Sequence, residues 1–535
     1  MEKRALIAVI LSLLVLYIFQ AHFTPPEKPV QPSIEKSNDE PLLPESVSPV
    51  PEKEGLFTFS DISPTDFPEK EIRVETPLYT AIFSTRGAAL KSWTLKKYLD
   101  HLGIEGKPIE MITDKGDTLH SLSMTLLWKK RSQMLDIQFQ PDREILDLSQ
   151  SEREGQITFT GTTRDGVLVK KIITFFPKTY WIEINVEITP PVSFPANKGA
   201  IINWVRKLDP ERDVSNRFSF IGPVVYVNEK LKKIKLKHLD EGKKTFSRGV
   251  NWVGYDEKYF LAAFFSRKKA LLLADIIKTE QDSIVINCYE KPSFSQSNGS
   301  YVFSYDFYCG PKDIEILRSL GVNLEKVIDF GMFDIIAKPL LYILKYLNKL
   351  THNYGLAIII LTVIIKIIFF PLTHKSYKSM KAMKDLQPKI IALKEKYKDD
   401  KERLNREIIN LYRTYKVNPL GGCLPLLIQF PIFIAFYWVL LGSIELRHAP
   451  FMLWIKDLSA HDPYFVTPIL MGISMFIQQK MTPTAGDPTQ AKVMLAMPVI
   501  FTFLFLKFPA GLVLYWLVNN ILQIFQQLYI EKRIA

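Results

Sequence analysis

Hydrophobic and polar positions change period several times along the chain, and each change marks an element. Lys3 and Arg4 precede about 17 mainly apolar residues at the N-terminus. That run is long for a signal-peptide core, and Phe19-Gln20-Ala21 makes a poor small-x-small cleavage site. Residues 1–21 are therefore expected to form an uncleaved transmembrane anchor, with Lys3 and Arg4 keeping the N-terminus in the cytoplasm. Residues 22–57 hold eight prolines, many charges and few large apolar side chains, the composition of an extended, disordered linker. From 58 to 325 the period turns to two. "QITFTGTT", "VLVKKIITFF" and "WIEINVEITP" alternate, or run in β-branched and aromatic residues, between Gly, Pro and Asn breaks. Strands at such short intervals predict a large β-sandwich, which the anchor places outside the cytoplasm.

The period then lengthens to that of a helix. Within 326–350, Ile336, Leu340, Ile343, Leu344 and Leu347 form an apolar stripe beside Lys338, Lys345 and Lys349, predicting an amphipathic helix in the membrane interface. Residues 351–535 carry five apolar runs, at about 354–372, 424–442, 464–481, 493–508 and 511–529. Some are short for a hydrocarbon core that takes about 20 helical residues. Pro425, Pro431, Pro468 and Pro498 interrupt several, and "KFPAG" turns tightly between the last two. The polar segment 375–416 has two further helical stripes: Met383, Leu386, Ile390, Leu393 and Tyr397, then Leu404, Ile408, Leu411 and Tyr415. With "KDD" between them they predict an antiparallel helical hairpin.

Charge orients these spans. Residues 374–416 hold 13 Lys/Arg against 6 Asp/Glu, whereas 443–463 has two basic and three acidic residues. The basic segment is expected in the cytoplasm and 443–463 outside, so both termini are cytoplasmic. This distribution explains most of the net charge of +12 over 535 residues without nucleic acid. A basic juxtamembrane surface of this kind attracts anionic lipid headgroups. The three cysteines form no framework and no zinc motif. Cys288 and Cys309 flank the loop "EKPSFSQSNGS"; a hairpin folded about its centre sets Cys288 opposite roughly residue 303, so no disulfide is expected. Cys423 reads as a small packing residue, and His352 and His374 as interfacial. No cofactor or metal site is expected.

One charge stands apart. "ILTVIIKIIFFPL" places Lys366 inside an apolar span, where a charge costs about 2.5–3.5 kcal/mol on insertion scales. A lysine stem snorkels part of the way to the interface. The usual alternative, a carboxylate partner, is absent: none of the five runs contains Asp or Glu. Instead the last run carries Asn519, Asn520, Gln523, Gln526 and Gln527, with Trp516, Asn520, Gln523 and Gln527 at helical spacing. Thr467, Met471, Ser474 and Gln478 share a face of the fourth span; Gln429 lies on the third, and Thr362 is one turn before Lys366. Polar stripes on several short spans predict a shared hydrated interior; interhelical hydrogen bonding is the competing account.

The stretch "NPLGGCLPLLIQFPIFIAFYWVLLGSIELRHAPFMLWIKDLSAHDPYFVTPILMGISMF", together with "FPLTHKSYKSMKAMKDLQPKI" and "MPVIFTFLFLKFPAGLVLYW", resembles the YidC membrane-protein insertases, relatives of the Oxa and Alb insertases. The resemblance spans essentially the whole chain and fits the Gram-negative form, with an anchor and a periplasmic β-supersandwich ahead of a five-helix transmembrane insertase core. It implies a bacterial inner-membrane insertase and chaperone, not an enzyme, working alone or with the Sec translocon on nascent membrane proteins. The hydrophilic groove of such a core opens to cytoplasm and lipid and is closed outside. Its positive residue, usually arginine, matches Lys366; its substrate-contacting threonine matches Thr362; a tyrosine common in the last span is Trp516 here. On this reading Gln429, Ser474, Gln478, Asn519, Asn520 and Gln523 line the groove. Phe433, Met471 and Phe505 join Thr362 and Trp516 as a hydrophobic slide, and Met380 and Met383 on the hairpin make an adaptable first contact. The β-domain of the family resembles sugar-binding supersandwiches, yet this one shows no catalytic constellation. The ribosome is a further expected partner, although the short tail "EKRIA" speaks against docking through the tail. A secondary transporter and a structural envelope protein are the rival readings. The first lacks membrane carboxylates for ion coupling, and the second leaves Lys366 and the polar stripes without a task.

Overall fold

The computed structural model describes residues 68–534, apart from 113–119, 129–130, 135–136, 164–165, 190–199, 210–219, 268–271, 291–292, 296–299, 399, 416, 418–423 and 482–487. The expected anchor (1–21), the linker (22–57) and Cys423 lie outside the described residues.

Residues 71–311 form two sheets. Strands Pro108–Glu110, Leu90–Leu99, Tyr79–Ser84, Glu71–Glu75 and Ile145–Asp147 make a five-stranded sheet in that order. Among the described residues the second sheet has 15 strands, with Trp181–Thr189 between Leu168–Phe175 and Ser300–Pro311. Period-two alternation produces this packing. In Trp181–Thr189, Ile182, Ile184, Val186 and Ile188 are buried while Glu183, Asn185 and Glu187 are half-exposed. Register continues the apolar row across strands, pairing Ile173 with Ile184 and Ile184 with Tyr305. The sheets meet where Phe83 packs against Phe159 and Phe175, at ring separations of 6.2 and 5.8 Å.

Two features of this domain depart from the sequence pattern. Lys171 occupies an inward position and is fully buried. Its Nζ donates to the carbonyls of Ala88 (2.6 Å) and Leu122 (2.7 Å), two residues in left-handed backbone conformations (φ 46° and 59°). Burial pushes the Lys171 ammonium down to about 7, and a neutral amine still has two N–H groups for those carbonyls. The expected hairpin about residue 295 is also different. Cys288 pairs with Ile202 and Ala274, and Phe303 pairs with Val186; the local hairpin joins Ser293–Ser295 to Ser300–Val302. A short intervening strand lets the chain change neighbours, so the loop does not return it beside Cys288. Cys288 and Cys309 are both buried and free.

After the last strand, Asp313 caps helix α1 (Ile314–Ser319) by accepting from the backbone N–H groups of Glu315 and Ile316. Helix α2 (Asp334–Thr351) is the expected amphipathic helix, but its faces differ from the stripe. Ile343 is 40% exposed, and Lys345 points inward among Ala337, Leu341 and Leu344. Carboxylates reverse the orientation that hydropathy alone gives. Lys345 Nζ donates to both oxygens of Asp313 (3.1 and 2.9 Å) and to Glu445 (3.1 Å), which lies beyond the third span. A second clamp joins the same regions: Arg447 donates to the Asp100 carbonyl at 3.1 Å and lies over the Tyr259 ring.

Prolines set the joints of the helical region. Helix α3 (Tyr354–Ile368) is capped by Asn353 and stops where Pro371 opens helix α4 (Phe370–Asp385). Proline disfavours helical geometry in the residue before it and has no N–H to donate. The two axes meet at 61°, so the expected 354–372 run ends as a continuous helix at Ile368. Pro388 likewise splits the expected 383–397 stripe into the end of α4 and helix α5 (Gln387–Lys396), broken at Leu386. Helix α6 (Lys401–Thr414), capped by Asp400, follows. Helices α7 (Leu424–Gly442), α8 (Val466–Met481), α9 (Pro488–Phe505) and α10 (Ala510–Ile534) complete the region. Among the described residues no single helix is long and apolar enough to cross a membrane; the bent pair α3 and α4 meets that requirement together. Asp462 binds the N–H and hydroxyl of Thr467 at the start of α8, both at 2.8 Å. That contact turns Thr467 from a member of the polar stripe into part of a helix cap.

Candidate functional site

Lys366 stands in the last turn of α3, just before the Pro371 joint. The joint swings α4 aside and opens a small recess with room for about two waters. Lys366, Gln429, Asn519 and Gln523 line it together with Thr373 and the apolar Ile365, Phe369, Leu372 and Ile432. Four of the expected groove residues, from three helices, therefore meet around one space. Lys366 Nζ donates to Gln523 Oε1. The other end of that amide donates to the Tyr377 hydroxyl at 2.6 Å. Gln527, one turn further along α10, donates to the Met481 carbonyl (2.8 Å) and to Glu531 (3.0 Å). Among the described residues Lys366 has no carboxylate within ion-pairing distance. An ammonium facing amides and an open recess needs water or an incoming anion to complete its shell.

The other expected polar residues serve elsewhere. Thr362 is 1% exposed, and its hydroxyl donates to the Ile358 carbonyl of its own helix at 2.7 Å. That i−4 bond turns it from the recess. Asn520 donates to Ser474 Oγ at 3.1 Å, and Ser474 donates to the Met471 carbonyl; all three side chains are buried. This is interhelical hydrogen bonding between α8 and α10. The α10 stripe is wide enough to serve two boundaries: Asn519 and Gln523 face the recess, while Asn520 and Gln527 bind α8. Gln478, one turn after Ser474, is half-buried outside the recess lining.

The expected slide is an aromatic cluster in which Met471 and Phe505 are buried, at 0% and 2% exposure. Trp516 packs edge-on against Phe433 at 4.7 Å and lies 5.6 Å from Phe505. Phe501, which the sequence reading missed, stacks on Trp516 at 6.5 Å. On the hairpin, Met383 is buried and Met380 half-exposed, so only Met380 is presented. Tyr377 and Thr373 were missed as well. They sit at i and i+4 on α4, a pairing visible only once the helix register restarts at Pro371.

Residues 346–535 match the family model described as 60Kd inner membrane protein, and residues 71–343 the one described as YidC periplasmic domain. A membrane protein insertase YidC from Geotalea daltonii is 44% identical over 99% of this chain and 99% of its own. Another, from Syntrophus aciditrophicus, is 43% identical over the whole of both chains. A solved structure of an active YidC insertase, with its first transmembrane domain resolved, aligns with 85% of this chain and 92% of its own at 21% identity and a TM-score of 0.38.

Proposed function

The chain belongs to the YidC family of membrane protein insertases, and from that premise we infer that the recess around Lys366 receives the hydrophilic flank of a nascent membrane protein. The protein is an insertase, not an enzyme: it makes and breaks no bond. The flank arrives from the cytoplasm, and Lys366 attracts its carboxylates. Water in the recess lowers the cost of carrying polar groups into the membrane. The hydrophobic segment then leaves along the apolar outer faces of α8 and α9, where Ile469, Ile473, Ile500 and Phe503 are 50–70% exposed. The aromatic cluster of Phe433, Phe501, Phe505 and Trp516 forms the apolar wall beside that exit. Both termini and the hairpin lie in the cytoplasm, and the β-domain is periplasmic. The Sec translocon, the ribosome and anionic lipids are the partners this arrangement serves, the last through the basic hairpin.

The observation that carries the reading is a membrane lysine in an open recess, bonded to an amide and not to a carboxylate. Proton-coupled transporters commonly carry Asp, Glu or His relays in the membrane, and the recess lining has none. The test is solvent access. With the three native cysteines replaced by alanine, Ile432→Cys is expected to react with a membrane-impermeant maleimide added from the cytoplasmic side, at least about tenfold faster than Met471→Cys in the packed interior. Equal rates at the two positions would mean that the recess is dry.

A further inference from the structure

Lys366 and Gln523 lie 157 residues apart in sequence and meet in the recess wall. Gln523 is 9% exposed, and its amide is held at both ends. The oxygen faces the Lys366 ammonium, and the nitrogen donates to Tyr377 across the Pro371 joint at 2.6 Å. That orientation is chemically determined, because an amide NH₂ turned toward an ammonium would set donor against donor. The Tyr377 hydroxyl is directed on to Gln527 Oε1 at 3.5 Å, so it accepts from one glutamine and points its proton at the next.

We propose that Gln523 is a specificity-determining residue: its amide oxygen is a neutral placeholder on Lys366 that a substrate carboxylate displaces. This deepens the reading of the recess given above and rests on it. Both acceptors bond to an ionised donor, but a carboxylate adds the attraction of a full opposite charge, which an amide oxygen lacks. An incoming Asp or Glu therefore wins the exchange, whereas serine, asparagine or a backbone carbonyl gains little over the amide it replaces. Tyr377 acts as a positioning residue. It keeps Gln523 beside the recess, so that the placeholder returns once the flank has passed. A glutamate at position 523 would be a built-in counter-ion, close in shape to glutamine, and would compete with the substrate for Lys366.

The readout is the insertion ratio of two substrates that differ only in the flank, one with two aspartates and one with two asparagines, measured on the full chain in proteoliposomes. Gln523→Glu is expected to lower the acidic-to-neutral ratio about fivefold, as a fixed counter-ion would. Gln523→Leu is expected to raise the ratio about twofold, because Lys366 loses its resting acceptor. Structural damage would instead depress both substrates together and leave the ratio unmoved. If Lys366→Ala lowers the ratio but Gln523→Glu does not, the exchange is wrong and the recess reading stands. If Lys366→Ala itself leaves the ratio unchanged, both fall. Should Gln523→Glu fail to accumulate as a folded protein, Gln523→Leu decides alone: a rise supports the exchange, and a fall or no change overturns it.

Discussion

Lys366→Ala lowers the insertion of substrates with acidic flanks by about tenfold, while Lys366→Arg stays within about twofold of the parent. The magnitude follows from the cost of the step. An acidic side chain at membrane depth costs about 2.5–3.5 kcal/mol on insertion scales. A half-buried cation that offsets about half of that contributes near 1.4 kcal/mol, which is tenfold in rate. Among the described residues, removing the side chain breaks one hydrogen bond, to Gln523, and no ion pair, so the loss is one of function and not of fold. Arginine keeps the charge, although its planar fork will grip Gln523 differently. Protease protection of the translocated flank in proteoliposomes measures the effect. Substrates with neutral flanks are the internal control, since their transfer draws on water in the recess and not on its charge.

The largest effect on stability is expected at the other end of the core. Lys345→Ala lowers stability by about 3–5 kcal/mol, the usual cost of breaking a buried ion cluster from one side. Lys345 and Glu445 side chains are 8% and 6% exposed, and Asp313 is 19% exposed. Removing the lysine leaves Asp313 and Glu445 facing each other without their shared cation, and takes away the 3.8 Å contact to Glu315, which keeps only the exposed Lys349. It also removes the contact that ties the end of the β-domain to α2 and to the segment after α7. Burial works against the charge on Lys345, but Glu445 and Asp313 outweigh it and hold the ammonium above its usual range. The sign follows. A raised lysine pKa contributes its full stabilisation below the unfolded value near 10.5 and loses it only as pH climbs through the raised value. Thermal unfolding of the full chain in detergent is therefore expected to show the Lys345→Ala deficit undiminished from pH 7 to 9. Arg406→Ala should differ little from the parent, because the Arg406–Glu402 pair is 72% and 82% exposed.

Both predictions turn on lysines that the sequence displayed and hydropathy interpreted unevenly. Lys366 stood out because its surroundings are apolar and carboxylates are missing from the runs. Gln523 was legible from helical spacing on the last span, and Gln429 and Asn519 as polar residues inside apolar runs. Lys345 was not legible, since a periodic stripe assigns every lysine to the polar face and cannot see Asp313 or Glu445 arriving from elsewhere. The same blindness hid Lys171, whose acceptors are backbone carbonyls 83 and 49 residues away. The strands of the β-domain were legible as period-two runs, but their neighbours were not, because register is decided by long-range packing. Pro371 and Pro388 were in plain view; their effect as joints depended on where each helix restarted. Thr362, Ser474 and Asn520 show the converse error. Polar residues at helical spacing look alike whether they face water or bond to a neighbouring helix, and these three make bonds within the helical packing.

The central claim is that a hydrophilic flank occupies the recess while the hydrophobic segment lies outside it. Photo-crosslinking from Gln429 in the recess and from Ile500 on the exposed face of α9 measures this directly, with a substrate halted part-way through insertion and its acidic flank still in transit. The account predicts crosslinks from Gln429 to the flank and from Ile500 to the hydrophobic segment. Crosslinks to the flank from Ile500, with none from Gln429, would contradict it.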